Sequence, residues 1–258
     1  MSSVHPAALV DPAAQLADDV EVGAFSIIGP NVSIGPGSRI GPHVVVTGRT
    51  TIGRNTRIFQ FASIGEEPQD KKYAGEDTEL IIGDDNTIRE LCTFSRGTIQ
   101  GRGKTIIGKN NWIMACVHIA HDCHLGDNII MANNASLAGH VTVGDWAILS
   151  GYSLIHQFCN VGEHSFTSFA SHVNQSIPPY VTVSGEKAKA KGVNTEGLKR
   201  RGYTPEQIKQ VRRAYKVLYR SGLPLEEARE QLAEMAEGHD EIKPLVDFLE
   251  TTVKSFIR

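Results

Sequence analysis

Ten residues, "HIAHDCHLGD" at positions 118 to 127, hold three histidines, two aspartates and a cysteine. Those side chains serve zinc ligation and proton transfer equally well, so residue type alone leaves both chemistries open. Which side chains face outward decides between them, and that is fixed by the elements that carry them.

A repeat supplies those elements. Aliphatic residues recur every six positions at Val4, Val10, Leu16, Val22, Ile28, Ile34, Ile40, Val46, Ile52, Ile58 and Ile64. The pattern resumes at Ile82, Ile88 and Phe94, and again from Ile107 to Val161. A period of six fits neither a helix nor a long alternating strand, but it fits a short strand plus a turn, three of which close a triangular coil. The residue two before each aliphatic one also points inward and is small almost throughout, as at Ala8, Ser26, Thr50, Ala135 and Ser153. Glycine often follows the aliphatic residue, as at Gly108 and Gly144, and glycine, asparagine and aspartate near the corners suit the positive φ of tight turns.

The expected architecture is therefore mainly β, a parallel β-helix over residues 1–188. Its left hand is taken from the known hexapeptide-repeat folds. Two polar excursions leave the coil, near residues 65–80 and 96–104, and long loops on a rigid solenoid are often functional. Residues 189–258 are expected as a C-terminal helical domain. In it, Thr204, Pro205 and Gly222 delimit a helix with an apolar stripe of Ile208, Val211, Tyr215 and Leu218. Further helices are read in "PLEEAREQLAEMAEG" and "EIKPLVDFLETTVKSFIR".

Composition bounds the function. A formal net charge of -3 argues against bulk nucleic-acid binding. No run reaches the roughly 18 apolar residues of a membrane span, and the first twenty residues lack the layout of a signal peptide, so no transmembrane segment and a cytoplasmic location are expected.

The register sorts the opening stretch. Cys123 takes the small inward position before Leu125, as Cys92 and Cys159 do before Phe94 and Val161, so these thiols read as filling and no metal is expected. A zinc-dependent β-helix with histidines shared between subunits is the competing reading. Eighteen residues make one coil, so His121, Gly139 with its neighbour His140, and Gln157 should line up along one outer edge. A near-neutral imidazole beside a bare glycine amide suits general-base acyl transfer with an oxyanion hole.

The segments "HIAHDC", "LAGH", "HQFC", "NQSIPPYV", "GVNTEGLKRRG" and "YRSG" resemble the UDP-N-acetylglucosamine O-acyltransferases that begin lipid A synthesis in Gram-negative bacteria. The similarity spans the whole chain. It implies His121 as general base supported by Asp122, a dyad that needs a corner because strand neighbours face opposite ways. It implies the Gly139 N–H as oxyanion donor, Asp70 and Lys72 on sugar and phosphates, and His118, His140 and His156 shaping the site. Gln157, Asn194, Glu196, Arg200 and Arg201 would hold the nucleotide, although Arg200 and Arg201 alone also read as a solvated basic turn. Phe169, in the same outward register as His121 and Gln157, would limit acyl-chain length, with subunit packing as its plain alternative.

The implied reaction uses no cofactor and no metal. Its implied partners are an acyl carrier protein, UDP-N-acetylglucosamine and two further copies of the chain in a homotrimer whose sites lie between prisms. Basic residues from Lys187 to Arg220 would suit an acidic carrier. One departure is Ser95 in "TFSRGT", where the family often has a histidine, which weakens a phosphate contact there. Three competitors stand beside this reading: an N-acyltransferase acting on an amino sugar, an acetyl-CoA-dependent transferase, and a non-enzymatic β-helix scaffold.

Overall fold

The computed structural model describes residues 3–252 and 255–258. Each six-residue unit is a strand of two to four residues followed by a corner, and the strands form three sheets of eleven, nine and eight among the described residues, parallel except for the last strand of the first. In the first sheet Val22 pairs with Ile40 and Ile40 with Ile58, so one coil takes eighteen residues. The coil is a left-handed β-helix. Every third aliphatic residue stacks on its counterpart one coil away, as Ile119 does on Phe94 and Leu137 in the second sheet. These inward chains are essentially sealed from water, and each contributes roughly 1.5–3 kcal/mol by burial.

Corner chemistry differs from the expectation. The left-handed corner residues include Asn55, Asp85, Asn110 and Asn128, but also Phe25, Phe61, Leu91 and Trp146. A left-handed bulky residue costs roughly 1–2 kcal/mol. Stacking along the edge offsets it: Phe25, His43 and Phe61 form a ladder with ring centroids 5.0 and 5.2 Å apart. Gly65 apart, the glycines after the aliphatic residues have ordinary φ. Their lack of a side chain answers close stacking instead, since a β-carbon on Gly108 would fall 2.4 Å from the Gly126 carbonyl and one on Gly144 would fall 2.7 Å from the Glu163 nitrogen.

The three edges carry different things. The first edge (first face to second) bears Phe25, His43 and Phe61. Both excursions leave from the second edge, between Ile64 of the second sheet and Ile82 of the third, and between Phe94 and Ile107. On the third edge Trp146, His164 and Tyr180 stack as a ladder. The C-terminal helices dock on it.

The expected division at residue 188 falls inside a hairpin: the strand Val181–Ser184 ends the first sheet's parallel run, and Lys189–Val193 returns antiparallel to it. Helix α1, Thr195–Arg200, follows, too short to show periodicity in the sequence. Helix α2, Pro205–Arg220, has its capping box between Thr204 and Gln207. Helices α3, Leu225–Glu237, and α4, Lys243–Thr251, complete the bundle.

The helix expected through residue 258 ends at Thr251. Val253 and Lys254 lie outside the described residues, and Ser255–Arg258 run back along the coil, where Ser176 bridges Phe256 and Ile257 is buried. No helix among the described residues is long and apolar enough to cross a membrane.

Candidate active site

Between the inward residues Ile119 and Leu125 the chain turns the second edge. Asp122 occupies the corner at φ 60°, which supplies the kink that lets two consecutive side chains meet. His121 Nδ1 lies 2.9 Å from Asp122 Oδ2. The Asp122 side chain is fully buried. Its oxygens also accept the Thr98 hydroxyl at 2.6 Å and the N–H groups of Thr98 and Arg102 at 3.1 and 2.8 Å. Burial by itself pushes this carboxyl up, but the hydrogen bonds from His121, Thr98 and Arg102 outweigh it and hold the group at about 2. An ionised Asp122 accepts a hydrogen bond from the Nδ1–H of His121, which leaves the Nε2 lone pair free as a base.

One coil on, Gly139 lies under the His121 ring and His140 stands edge-on to it, centroids 5.0 Å apart. His140 stacks flat on Phe158 at 4.5 Å. Burial lowers the affinity of His140 for a proton in spite of Asp122, and burial does the same for His118, whose Nδ1 meets the Thr93 hydroxyl at 2.8 Å. Among the described residues the Gly139 N–H donates to no other group, so it can donate to a developing oxyanion.

A cavity of about 680 Å³ opens on these groups. It brings together Asp70, Lys72, His118, His121, Gly139, His140 and Gln157 of the expected set, all from one chain, with Asp122 behind His121. Ser95, left out of that set, also lines it, as do Thr98, Gln100 and Phe158. Phe158 stands one residue past Gln157 in the eighteen-residue register, a signal the sequence did carry. The contribution of the loop residues depends on how the excursions fold back, which periodicity does not encode.

The other expected residues lie apart. His156 is exposed at the same edge but outside the cavity lining. Asn194, Glu196, Arg200 and Arg201 sit on the third edge. Asn194 caps α1 by accepting the Gly197 N–H at 3.1 Å while its amide donates to the His164 carbonyl at 2.9 Å. Glu196 pairs with Lys199 at 2.7 Å, and the Arg201 guanidinium lies 5.1 Å over the Trp146 ring and bonds the Trp146 carbonyl. Phe169 stands on the first edge, not on that of His121 and Gln157, with its ring against Gly151 and edge-on to Tyr152 at 5.6 Å.

The thiols behave as filling. Cys92, Cys123 and Cys159 are buried and Cys116 is exposed, and burial pushes Cys92 and Cys123 up to about 12. Among the described residues one set of potential metal donors gathers, His121, Asp122 and His140, within 4.8 Å of one another. The Asp122 oxygens, however, already accept His121, the Thr98 hydroxyl and two N–H groups, which favours a histidine–aspartate dyad over a coordination site.

Comparison with known proteins bears on the family. Residues 13–48 and 104–139 match the bacterial transferase hexapeptide family, and residues 177–257 match domain 2 of UDP-N-acetylglucosamine O-acyltransferase. The chain is 58% identical to the acyl-(acyl-carrier-protein)–UDP-N-acetylglucosamine O-acyltransferase of Herminiimonas arsenicoxydans, covering all of both chains. It is 57% identical to the enzyme of that name from Thiobacillus denitrificans, again over both full lengths. Among solved structures, the UDP-N-acetylglucosamine acyltransferase of Francisella novicida superposes with a TM-score of 0.97 at 44% identity, covering 99% of this chain and 94% of that one. The Moraxella catarrhalis O-acyltransferase gives 0.97 at 43%, covering 99% of each.

Proposed function

The chain belongs to the acyl-carrier-protein-dependent UDP-N-acetylglucosamine O-acyltransferase family, and we propose that it moves a 3-hydroxyacyl chain from acyl carrier protein to the sugar 3-hydroxyl, the first step of lipid A synthesis. The observation that carries the site assignment is the His121–Asp122 pair set against the Gly139 N–H in one cavity.

His121 Nε2 takes the proton of the acceptor hydroxyl as its oxygen attacks the thioester carbonyl. Asp122 stabilises the imidazolium that results, and the Gly139 N–H donates to the tetrahedral oxyanion. Collapse expels the carrier's thiolate, which recovers the proton from His121. The thioester is already activated, so no covalent enzyme intermediate is required. His118 and His140, kept neutral by burial, donate or accept hydrogen bonds without adding charge. Asp70 and Lys72 reach the cavity from the first excursion and suit contacts to sugar and phosphate.

The working form is proposed as a homotrimer. The expected nucleotide residues Asn194, Glu196, Arg200 and Arg201 stand on the third edge and Phe169 on the first. A neighbouring copy is the means by which they would reach a cavity on the second. Exposed Phe25, Phe61 and Leu91 along the first edge suit burial against another prism. His156 would then act at the contact between copies. Basic residues from Lys187 to Arg220 suit the acidic carrier. The cytoplasm is the proposed location, because nucleotide sugar and carrier meet there.

Mass spectrometry of the product from UDP-N-acetylglucosamine and mixed acyl-carrier substrates tests the reading, with His121→Ala beside wild type. An O-acylated sugar nucleotide from wild type and a loss of about 10²-fold or more in the variant are expected. Undiminished turnover by His121→Ala would remove that residue from its role. An amide product would place the chain with the N-acyltransferases.

A further inference from the structure

Thr98 belongs to the second excursion, and its side chain is 1% exposed. Its hydroxyl donates to Asp122 Oδ2 at 2.6 Å and its N–H reaches both carboxylate oxygens. Arg102 adds its own N–H to Oδ1, and Gly101 passes so close that a β-carbon there would strike the carboxylate. The excursion thus wraps the carboxylate, the Thr98 hydroxyl sharing Oδ2 with His121 Nδ1 while the Arg102 N–H holds Oδ1. A carboxylate held only by a histidine can rotate away from it; one held at both oxygens keeps Oδ2 at Nδ1.

We propose that Thr98 is a positioning residue for acyl transfer, its hydroxyl fixing the Asp122 carboxylate so that His121 stays aimed into the cavity. The proposal rests on the reading of His121 as general base. The same segment ties down the first excursion, since Arg96 donates to the Gly65 carbonyl and to the Tyr73 hydroxyl, both at 2.8 Å. The loop that presents Asp70 and Lys72 and the loop that holds Asp122 are therefore one connected piece.

The titratable and charged groups about Asp122 are His121, His140 with Nε2 at 3.9 Å, the Arg102 side chain, and the Cys123 thiol, neutral with its value near 12. Asp70 acts on His140 from the first excursion. Without the Thr98 hydroxyl the carboxylate is free to turn from Nδ1, and the His121 ring loses the partner that aims it into the cavity.

The experiment measures kcat and KM of the whole chain for wild type, Thr98→Val and Thr98→Ser. Thr98→Val is expected to lose about tenfold or more in kcat with little change in KM for UDP-N-acetylglucosamine, because it removes one hydrogen bond to a charged group. Thr98→Ser should restore kcat. Thr98→Ala is read in place of Thr98→Val if the latter does not fold. Wild-type kcat in the hydroxyl-less variant, or a serine variant no better than valine, would each overturn the proposal. An inactive wild type would overturn the functional reading itself, and this proposal with it.

Discussion

The imidazole of His121 lies so close to Gly139 that a β-carbon on residue 139 would fall 2.6 Å from ring Cε1 and 2.7 Å from Nε2. The proposed base and the proposed oxyanion donor are thus in contact across two successive coils. Glycine is required there for the room it leaves, since its φ is ordinary.

Gly139→Ala follows directly. The added methyl displaces the ring from the amide, so kcat should fall about 10²-fold or more. The fold should survive, because alanine accepts that backbone conformation. Steady-state kinetics beside a thermal melt check this, and wild-type turnover with an unchanged melt would show that the ring has room to spare.

Asp122 links the site to stability. Its carboxyl is held at about 2, below its ordinary 3.8, so the folded state favours the ionised form. That contribution is complete above about pH 4 and is lost as pH falls toward 2. Denaturant midpoints of wild type and Asp122→Asn should differ by a constant amount from neutrality to about pH 4, and the gap should close below. A gap that persists undiminished in acid would mean the charge is not what Asp122 contributes.

Phe169 packs on Gly151 and Tyr152 at the first edge and is 69% exposed. If a neighbouring copy turns that edge toward the cavity, its ring would close the end of an acyl groove. Phe169→Gly should then accept longer chains, with shorter ones still turned over, as read from a ladder of acyl-carrier substrates. An unchanged chain preference would leave Phe169 as a packing residue.

Chelators should leave turnover unchanged, because the donors that could serve a cation at His121, Asp122 and His140 are engaged with one another and with Thr98 and Arg102. Activity after dialysis against a chelator, with elemental analysis, measures this. Stoichiometric zinc lost together with activity would reverse it.

Much of this was legible in the chain. Register by sixes separates inside from outside, which placed Cys92, Cys123 and Cys159 in the core and His121 beyond it. It does not say which edge: Phe169 stands forty-eight residues past His121, a multiple of six but not of eighteen. The clamp on Asp122 was hidden because the Thr98 segment has no period, and its contacts depend on a loop closing on itself. Glycine by its type suits turn conformation, although close stacking is what demands it here, and aromatic corners such as Phe61 depend on neighbours a full coil away.

Both excursions bud from a single edge, and the coil resumes its pitch after each of them. Extra chain there leaves the stacked prism undisturbed. Such segments can be grafted between relatives as cassettes, so that selection can retool what is bound while the scaffold below keeps its winding.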